Sequence, residues 1–213
     1  MSAENNTREL VHEKMKHAIL DHTYPLGSRI NLDEIKRSLG VSNTPVREAV
    51  SILEGEGLVE YKRNAGVFVV NPTREEVFAL AQFMMLLVGA AYDFCRDSRS
   101  MEPLIVLMRA ELEKQRGYVQ QKDFYNYALC SNSFDRCIID YTENDYLIRS
   151  YNQNYDLLTL LNAEYAIHDE STIPVFFHQH ELILEAIEKD DPALVHSRLK
   201  EHYYKKDWIP AES

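Results

Sequence analysis

Apolar residues recur at helical spacing in two stretches near the start of the chain. The first stretch predicts a helix from about Thr7 to Asp21, and "HTYPLGSRI" after it contains the proline and glycine of a turn. The string "NLDEIKRSLG" carries apolar residues three and four apart at Leu32, Ile35 and Leu39. Asn31 suits a helix N-cap and Gly40 suits a helix end, so this string predicts a short second helix.

A third helix and a hairpin are predicted next. The helix should begin near Thr44 and Pro45, because proline is tolerated at the first helical position, and should close at Gly57. Its buried face is formed by Val46, Ala49, Val50 and Leu53. Two short strands, "LVEYK" and "VFVV", flank "RNAG", where Asn64 and Gly66 can adopt positive φ. Three helices followed by a hairpin predict a winged helix-turn-helix.

Beyond this hairpin the hydrophobic pattern is helical almost throughout. Thr73 is a good N-cap, and Glu76 three residues later completes a capping box. The predicted helices are about 73–96, 101–117, 121–141, 144–167, 172–189 and 191–207, with Gly117 among the breaks. We therefore predict a mainly α protein, with a winged helix-turn-helix over residues 1–72 and an all-α bundle of about six helices over residues 73–213.

The charge of the chain is divided unevenly between these two parts. The whole chain has a formal net charge of -11 and a pI of about 5.2. Residues 1–72 carry 9 Lys and Arg against 10 Asp and Glu, whereas residues 73–213 carry 14 against 24. The acidity therefore belongs to the second part, and a local basic face on the first part remains compatible with nucleic-acid binding.

The composition is that of a soluble protein. No apolar run approaches the roughly 18 to 20 residues of a membrane span, and the longest, from Phe78 to Tyr92, is interrupted by Gln82. The N-terminal "MSAENNTREL" lacks a signal-peptide pattern. The three cysteines, Cys95, Cys130 and Cys137, have no metal-like spacing and suit reduced core thiols. We expect a cytoplasmic protein without a membrane partner.

Several residues of the third helix and the hairpin could contact DNA. Arg47 lies near the positive end of the helix dipole, where a cation is better placed if a phosphate or a guanine edge meets it. Asn43 and Thr44 are short polar groups suited to base edges or phosphates, or else they are only turn and cap residues. Lys62 and Arg63 precede the hairpin tip and suit backbone contacts, although a basic pair in a hairpin can also be merely solvated.

The string "LDEIKRSLGVSNTPVREAVSILEGEGLVEYKRNAGVFVV" resembles the DNA-binding domain of the GntR-type bacterial regulators over about residues 8–72. Its most specific part is "GVSNTPVREA". The resemblance implies operator contacts by Ser42, Asn43, Thr44, Arg47 and by Gly66 of the wing. Many relatives carry arginine at position 43, and some carry a basic residue near Asp33. Both departures remove positive charge, so we expect weaker binding and an altered operator preference.

The C-terminal string "FHQHELILEAIEKDDPALVHSRLKEHYY" resembles the FCD domain of the FadR branch of that family. In such domains a histidine at each of the positions of His180 and His202 binds a divalent metal together with an Asp-x-x-Phe-His motif. This chain has "SNSFD" there, so Ser131 replaces the aspartate and Asp135 replaces the histidine. The resemblance implies a site of Asp135, His180 and His202 for Zn, Ni or Mn, with Ser131 or Asn132 orienting a water or an effector. The alternative is a polar pocket that has lost its metal.

The first helix of the second part also departs from its relatives, many of which carry an arginine and a glutamate near the ligand. Its central run, "FALAQFMMLLVGAAY", has no charge. The run predicts ordinary core or dimer packing, or else an unusually apolar effector pocket.

Taken together, these patterns predict an effector-responsive transcription regulator. It would bind a pseudo-palindromic operator in double-stranded DNA as a homodimer, one winged helix per half-site, with a small organic or sugar acid modulating the affinity. An alternative is a metal-dependent helical enzyme with an accessory winged helix, in which the same three residues would activate water. A third alternative is a winged helix that makes only protein contacts. We predict that the protein is not an enzyme, since no nucleophile–base pair or phosphate loop accompanies the histidines.

Overall fold

A computed structural model describes residues 3–168 and 171–203, apart from the side chains of residues 3–5, 124 and 165–168. Over these residues the fold is mainly α, as predicted, with three short strands near the N-terminus. The elements are α1 (Ala3–Leu20), β1 (Arg29–Ile30), α2 (Leu32–Leu39), α3 (Asn43–Gly55), β2 (Val59–Lys62), β3 (Gly66–Val69), α4 (Arg74–Ser98), α5 (Glu102–Gln121), α6 (Phe124–Tyr141), α7 (Asp145–His168), α8 (Thr172–Glu188) and α9 (Pro192–Tyr203).

The chain forms two compact units. The winged unit comprises Met1–Asn71 with Asp156–Leu160, and the helical unit comprises Pro72–Tyr155 with Leu161–Ser213.

Helix α2 of the winged unit begins and ends at the residues that the sequence predicts. The side chain of Asn31 accepts from the backbone amides of Asp33 and Glu34, and Gly40 takes the left-handed conformation with φ of 64°. Gly40 leads into the turn before α3, so the helix-turn-helix geometry depends on its freedom to adopt this φ. The core of this unit joins all three helices to the strands, and it includes Val11, Met15, Ile19, Ile30, Ile35, Val46, Leu53, Leu58 and Val67.

The strands form one antiparallel sheet in the order β1-β3-β2, in which β2 and β3 are the predicted hairpin. Strand β1 is not predicted by the sequence pattern, because two residues are too short to show any period. It exists only through pairing with β3, where Arg29 lies opposite Phe68 and Ile30 lies opposite Val67. The buried side chains of Ile30 and Val67 face the helices.

Helix α3 departs from its prediction at both ends. It begins at Asn43, with Ser42 at the N-cap, rather than near Thr44 and Pro45, and it ends at Gly55 rather than at Gly57. Pro45 still lies in the first turn, where amide groups have no intrahelical acceptor, so the earlier start costs no hydrogen bond. Gly57 takes φ of 72° two residues beyond the helix, in the turn that leads to β2.

The helical unit begins with the predicted capping box. The Thr73 side chain accepts from the Glu76 amide, and the Glu76 carboxylate accepts from the Thr73 amide at 2.8 Å. Within the unit, α5 packs against α6 and α8, α4 packs against α6 and α9, and α8 packs against α9. The end of α9 predicted at 207 lies outside the described residues.

The predicted break at Gly117 is wrong. Helix α5 continues through Gly117 to Gln121 and ends at Lys122, which takes the left-handed conformation with φ of 55°. A glycine inside a helix costs about 1 kcal/mol relative to alanine, which packing against neighbouring helices readily offsets.

The cysteines are free thiols. Cys95 and Cys130 are buried and Cys137 is half-buried. Burial raises the pKa of Cys95 and of Cys130 to about 11 and that of Cys137 to about 12, so these thiols are protonated and unreactive at neutral pH.

Helix α4 is the single helix in the described part of the chain whose length and composition would allow it to cross a membrane. Its most apolar 18-residue window has a mean hydropathy of 1.7. The same helix packs against α6 and α9 of the helical unit, and 39% of that window is buried. Core helices of soluble proteins meet the same criterion, so length and apolarity alone do not make α4 a membrane span.

Candidate DNA-reading face and metal site

The polar residues of the predicted DNA-reading motif lie together on the exposed side of α3. Ser42, Asn43, Thr44 and Arg47 are all exposed. Val46, Ala49, Val50 and Leu53 point the opposite way into the core, as their spacing predicts. The helical period therefore leaves one continuous polar face at the N-terminal end of α3.

The N-terminus of α3 has amides that its own cap residue does not satisfy. Ser42 has extended backbone angles suited to an N-cap, yet its side chain makes no capping hydrogen bond. Arg47 lies at the fifth position of the helix, and it makes no ion pair within the described residues. Exposed amides at the positive end of a helix dipole, beside an unpaired guanidinium, suit a phosphate or a carbonyl of a base.

The tip of the wing, the turn joining β2 to β3, presents the other predicted DNA contacts. Lys62 lies opposite Gly66 in the sheet, and Asn64 between them takes φ of 63°. Arg63 is exposed. Lys62 is already engaged, because its Nζ is 2.8 Å from Glu60 Oε1 and 4.8 Å from the centroid of the Phe68 ring. Arg63 therefore offers the less neutralised charge of the pair.

Asp33, which lies near a position that is basic in some relatives, is neutralised locally. Lys36 Nζ lies 2.5 Å from its Oδ1 one turn later in α2. That hydrogen bond is the main reason that the pKa of Asp33 is lowered.

In the helical unit, three helices bring Asp135, His180 and His202 together. They come from α6, α8 and α9 respectively, and one potential ligand atom from each lies within 4.8 Å of the others. Asp135 and His180 are 1% and 2% exposed, and His202 is 8% exposed. The rings of the two histidines lie 4.7 Å apart between centroids.

The Asp135 carboxylate is incompletely compensated. Tyr203 donates its hydroxyl hydrogen to Oδ2 at 2.5 Å, and His202 Nε2 lies 3.9 Å from the same oxygen. The other oxygen, Oδ1, is buried without a hydrogen-bond partner. Burial raises the pKa of Asp135 to about 6, against the opposing effect of the Tyr203 hydrogen bond. A buried carboxylate with an orphaned oxygen is a favourable ligand for a cation.

Gln115 of α5 determines which nitrogen of His180 carries the proton. Its Nε2 donates to the backbone carbonyls of Ser131 and Cys130, at 3.3 and 3.5 Å, and a carbonyl oxygen can only accept. Its Oε1 therefore faces His180 Nδ1, 2.8 Å away, so Nδ1 is the donor. In the neutral form of the ring this tautomer has its lone pair on Nε2, which is the form in which histidine binds metals.

Packing and a second glutamine hold the two rings in place. The Phe134 ring stacks on His180 with centroids 4.5 Å apart and an interplanar angle of 21°. Gln179 Oε1 lies 3.3 Å from His202 Nδ1 and gives that ring a similar acceptor. The orientation of both histidines is thus fixed by neighbouring side chains.

Ser131 and Asn132 lie close by but form a network of their own. Asn162 Nδ2 on α7 donates to Ser131 Oγ at 3.2 Å and to Asn132 Oδ1 at 2.9 Å, and the Tyr151 hydroxyl donates to the Asn132 carbonyl at 2.8 Å. Ser131 Oγ also donates to the Ala128 carbonyl at 3.2 Å. Both residues are buried, and Gln115 connects the Ser131 carbonyl to His180, so they line the interior beside the cluster.

The residues present fit a divalent cation. Imidazole nitrogens and carboxylate oxygens are ligands that Zn, Ni and Mn accept, and the incompletely compensated Asp135 carboxylate is suited to a cation.

Sequence reasoning missed three residues that support this cluster, Gln115, Gln179 and Tyr203, and it also missed Asn162, which holds Ser131 and Asn132. Gln115 left a signal, because it continues the stripe of Leu104, Met108 and Leu112 at helical spacing and is fully buried. A polar residue at a core position of a helix must find partners, which marks it as a candidate for positioning others.

Two protein-family models match this chain. Residues 7–69 match the family model "Bacterial regulatory proteins, gntR family", and residues 83–205, more than half of the chain, match the model "FCD domain". The chain is 26% identical to the Uxu operon regulator of Haemophilus influenzae, over 87% of this chain and 74% of that protein. It is 23% identical to the gluconate operon transcriptional repressor of Bacillus subtilis, over 83% of this chain and 74% of the other.

Solved structures share the fold. A GntR regulator from Rhodococcus sp. RHA1 superposes with a TM-score of 0.79 at 20% identity, covering 92% of this chain and 93% of that one. Escherichia coli McbR/YncC gives a TM-score of 0.75 at 16% identity, covering 95% and 94% of the two chains. At these identities the likeness shows the fold alone. With both family models matched along its length, the chain belongs to the GntR family with an FCD domain, and it is a transcriptional regulator of that type rather than an enzyme.

Proposed function

We propose that the protein is a cytoplasmic, effector-responsive repressor that binds a pseudo-palindromic operator in double-stranded DNA as a homodimer. Residues 1–72 form the DNA-binding domain, and residues 73–213 form the effector-binding and dimerisation domain. The observation that carries this proposal is the exposed polar face of α3, with Arg47 unpaired beside amides that Ser42 does not cap.

The residues of α3 have distinct roles in this proposal. Ser42, Asn43 and Thr44 lie at the helix start, where short side chains and backbone amides can approach a phosphate or a base edge. Arg47, one turn further on, can make two parallel hydrogen bonds to a guanine edge in the major groove. Asn43 adds no charge at a position where many relatives have arginine, so Arg47 carries most of the electrostatic attraction of this face.

The wing contributes contacts to the DNA backbone. Arg63 at its tip would bind a phosphate, and Lys62 would do so only by exchanging Glu60 for the DNA. Gly66 keeps the hairpin tip narrow, because its φ of 108° is unfavourable for other residues.

The homodimer is proposed to form through α4. Phe83, Leu86 and Phe94 are 41%, 67% and 43% exposed and lie on one face of this helix, which we call the α4 stripe. An operator with two-fold symmetry requires a two-fold protein, and a self-complementary apolar helix face meets that need. A second copy of this chain is therefore the proposed occupant of the stripe.

Asp135, His180 and His202 are proposed to hold a divalent metal, Zn, Ni or Mn. A bound metal would supply a Lewis-acid anchor for an anionic effector. Ser131 and Asn132, held by Asn162, are proposed to line the effector pocket beside it.

A sugar acid is the proposed effector class. The Uxu operon regulator and the gluconate operon repressor are among the relatives, and a metal anchor suits a carboxylate. An effector that binds one conformation of the protein better than the other would shift the population toward it and so change operator affinity.

The experiment is a gel-shift titration of the DNA upstream of the protein's own operon, with unrelated DNA of equal length as competitor. We expect a sequence-specific protein–DNA complex that dissociates when one member of a panel of sugar acids is added. No specific complex at low salt would refute DNA regulation, and a specific complex indifferent to the whole panel would refute the effector class. A specific complex that survives Arg47→Ala would favour the alternative in which the winged helix makes only protein contacts.

A further inference from the structure

Arg29 occupies an unexpected place in the winged unit. It lies on β1, opposite Phe68 of β3, while its neighbour Ile30 faces the core. Because side chains alternate along a strand, Arg29 points to the outer side of the sheet, together with Phe68 and Lys62. The sequence pattern predicts neither this strand nor a role for Arg29.

The Arg29 guanidinium lies against the wing glycine. A Cβ placed on Gly66 would come within 3.2 Å of Arg29 Nε, 3.5 Å of Nη2 and 3.7 Å of Cζ. The first of these distances is tighter than ordinary van der Waals contact, so any other residue at position 66 would push the guanidinium away. Because Gly66 has no side chain, the Arg29 guanidinium can lie directly against its backbone.

The Arg29 charge is not neutralised. Lys62 on the same side of the sheet is paired with Glu60, and Lys36 of α2 is paired with Asp33. Arg29, like Arg47, makes no ion pair or hydrogen bond to a side chain in the part of the chain that the structure describes. An exposed arginine that lies against a glycine and has no carboxylate partner is suited to an anionic partner from outside the protein.

We propose that Arg29 is a further DNA-contacting residue, binding a backbone phosphate beside the wing, and that Gly66 acts by holding it there. This inference rests on the proposed DNA binding and adds a positioning role for Gly66. A guanidinium fits a phosphate with two parallel hydrogen bonds, and Arg29 lies against Gly66, beside the wing tip that is proposed to contact the DNA backbone.

The test uses the full-length protein on the DNA upstream of its own operon, with Arg29→Gln compared with wild type over a range of salt concentrations. Each phosphate contact contributes about 0.9 to the slope of log K against log salt, so two copies per dimer should flatten the slope by roughly 1.8 units. We expect at least about tenfold weaker binding at low salt. Arg109→Gln, which removes an equal charge from the helical unit, is the matched control.

Two further variants separate contact from folding. Arg29→Lys keeps the charge and should restore the slope while recovering only part of the affinity. Gly66→Ala should weaken DNA binding more in the wild-type background than in the Arg29→Gln background. In the Arg29→Gln background there is no guanidinium for the new Cβ at position 66 to displace. Thermal midpoints should stay within a degree or two of wild type for both Arg29 variants, since this exposed side chain makes no ion pair or side-chain hydrogen bond within the described residues.

Arg29→Gln with wild-type affinity and slope, while Arg47→Ala loses binding, would overturn the role of Arg29 and leave the proposed function standing. Equal effects of Gly66→Ala in both backgrounds would overturn the positioning role of Gly66. If wild type itself forms no specific complex, the proposed function fails and this inference fails with it.

Discussion

Gln115 Oε1 accepts a hydrogen bond from His180 Nδ1 at 2.8 Å in the interior of the helical unit. The amide end of the same side chain is committed to two backbone carbonyls of α6, so the glutamine cannot turn round. Gln115 thereby links the tautomer of a candidate metal ligand to the packing of α5 against α6, the helix that carries Asp135.

Gln115→Met should weaken metal binding. Methionine preserves the volume but offers no acceptor for Nδ1, and loss of such a partner typically lowers metal affinity about 10- to 100-fold. Titration with Zn, Ni or Mn against a competing chelator measures the affinity. Gln120→Met, at an exposed position on the same helix, is the matched control and should bind as wild type does. Equal affinities for all three proteins would show that Gln115 does not position His180.

Asp135→Asn should remove a pH-dependent loss of stability from the metal-free protein. The pKa of this carboxyl is about 6 in the folded state, above its ordinary value of 3.8, so its contribution to stability is fully present below about pH 4 and is lost as pH rises through about 6. The total loss is about 3 kcal/mol. In thermal melts of chelator-treated protein, the midpoint of wild type should therefore fall relative to that of Asp135→Asn as the pH rises from about 4 to 7.

Adding metal should then raise the thermal midpoint of wild type near neutral pH and leave that of Asp135→Asn almost unchanged. Parallel pH curves for the two proteins would show that burial of the incompletely compensated Asp135 carboxylate does not govern this pH dependence. An equal rise with metal in both proteins would place the cation elsewhere.

Leu86→Asp should disrupt the homodimer. Leu86 is 67% exposed on the α4 stripe, and a charge at the centre of an apolar interface should weaken association by at least about tenfold. Sedimentation velocity over a range of concentrations measures the effect. Val175→Asp, at a position on α8 that is 49% exposed, is the matched control. A dimer unaffected by Leu86→Asp would exclude the α4 stripe as the interface.

Local chemistry made much of the fold predictable. Asn31 and Gly40 mark the two ends of α2, and the capping box of Thr73 and Glu76 marks the start of α4. These ends could be predicted because each signal acts through hydrogen bonds within a few residues. Strand β1 could not be predicted in the same way, since Arg29 is ordered by pairing with Phe68, which is distant in sequence.

The candidate site likewise contains residues that the sequence could predict and residues that depend on tertiary packing. Asp135, His180 and His202 could be named from the resemblance to FCD domains, and the structure brings them together. The partners that set their chemistry, Gln115 and Tyr203, depend on how helices pack, which no local pattern specifies. The helix break placed at Gly117 failed for a related reason, because packing of α5 outweighs the intrinsic cost of a glycine.

The most direct test of the account is the affinity of Arg47→Ala for the DNA upstream of the protein's own operon, measured by gel shift at low salt beside wild type and Arg109→Ala. Arg47 is exposed and makes no ion pair within the described residues, so its loss should not disturb the fold. The account predicts a specific complex for wild type and Arg109→Ala and a loss of at least about tenfold for Arg47→Ala. Wild-type affinity in Arg47→Ala would contradict it.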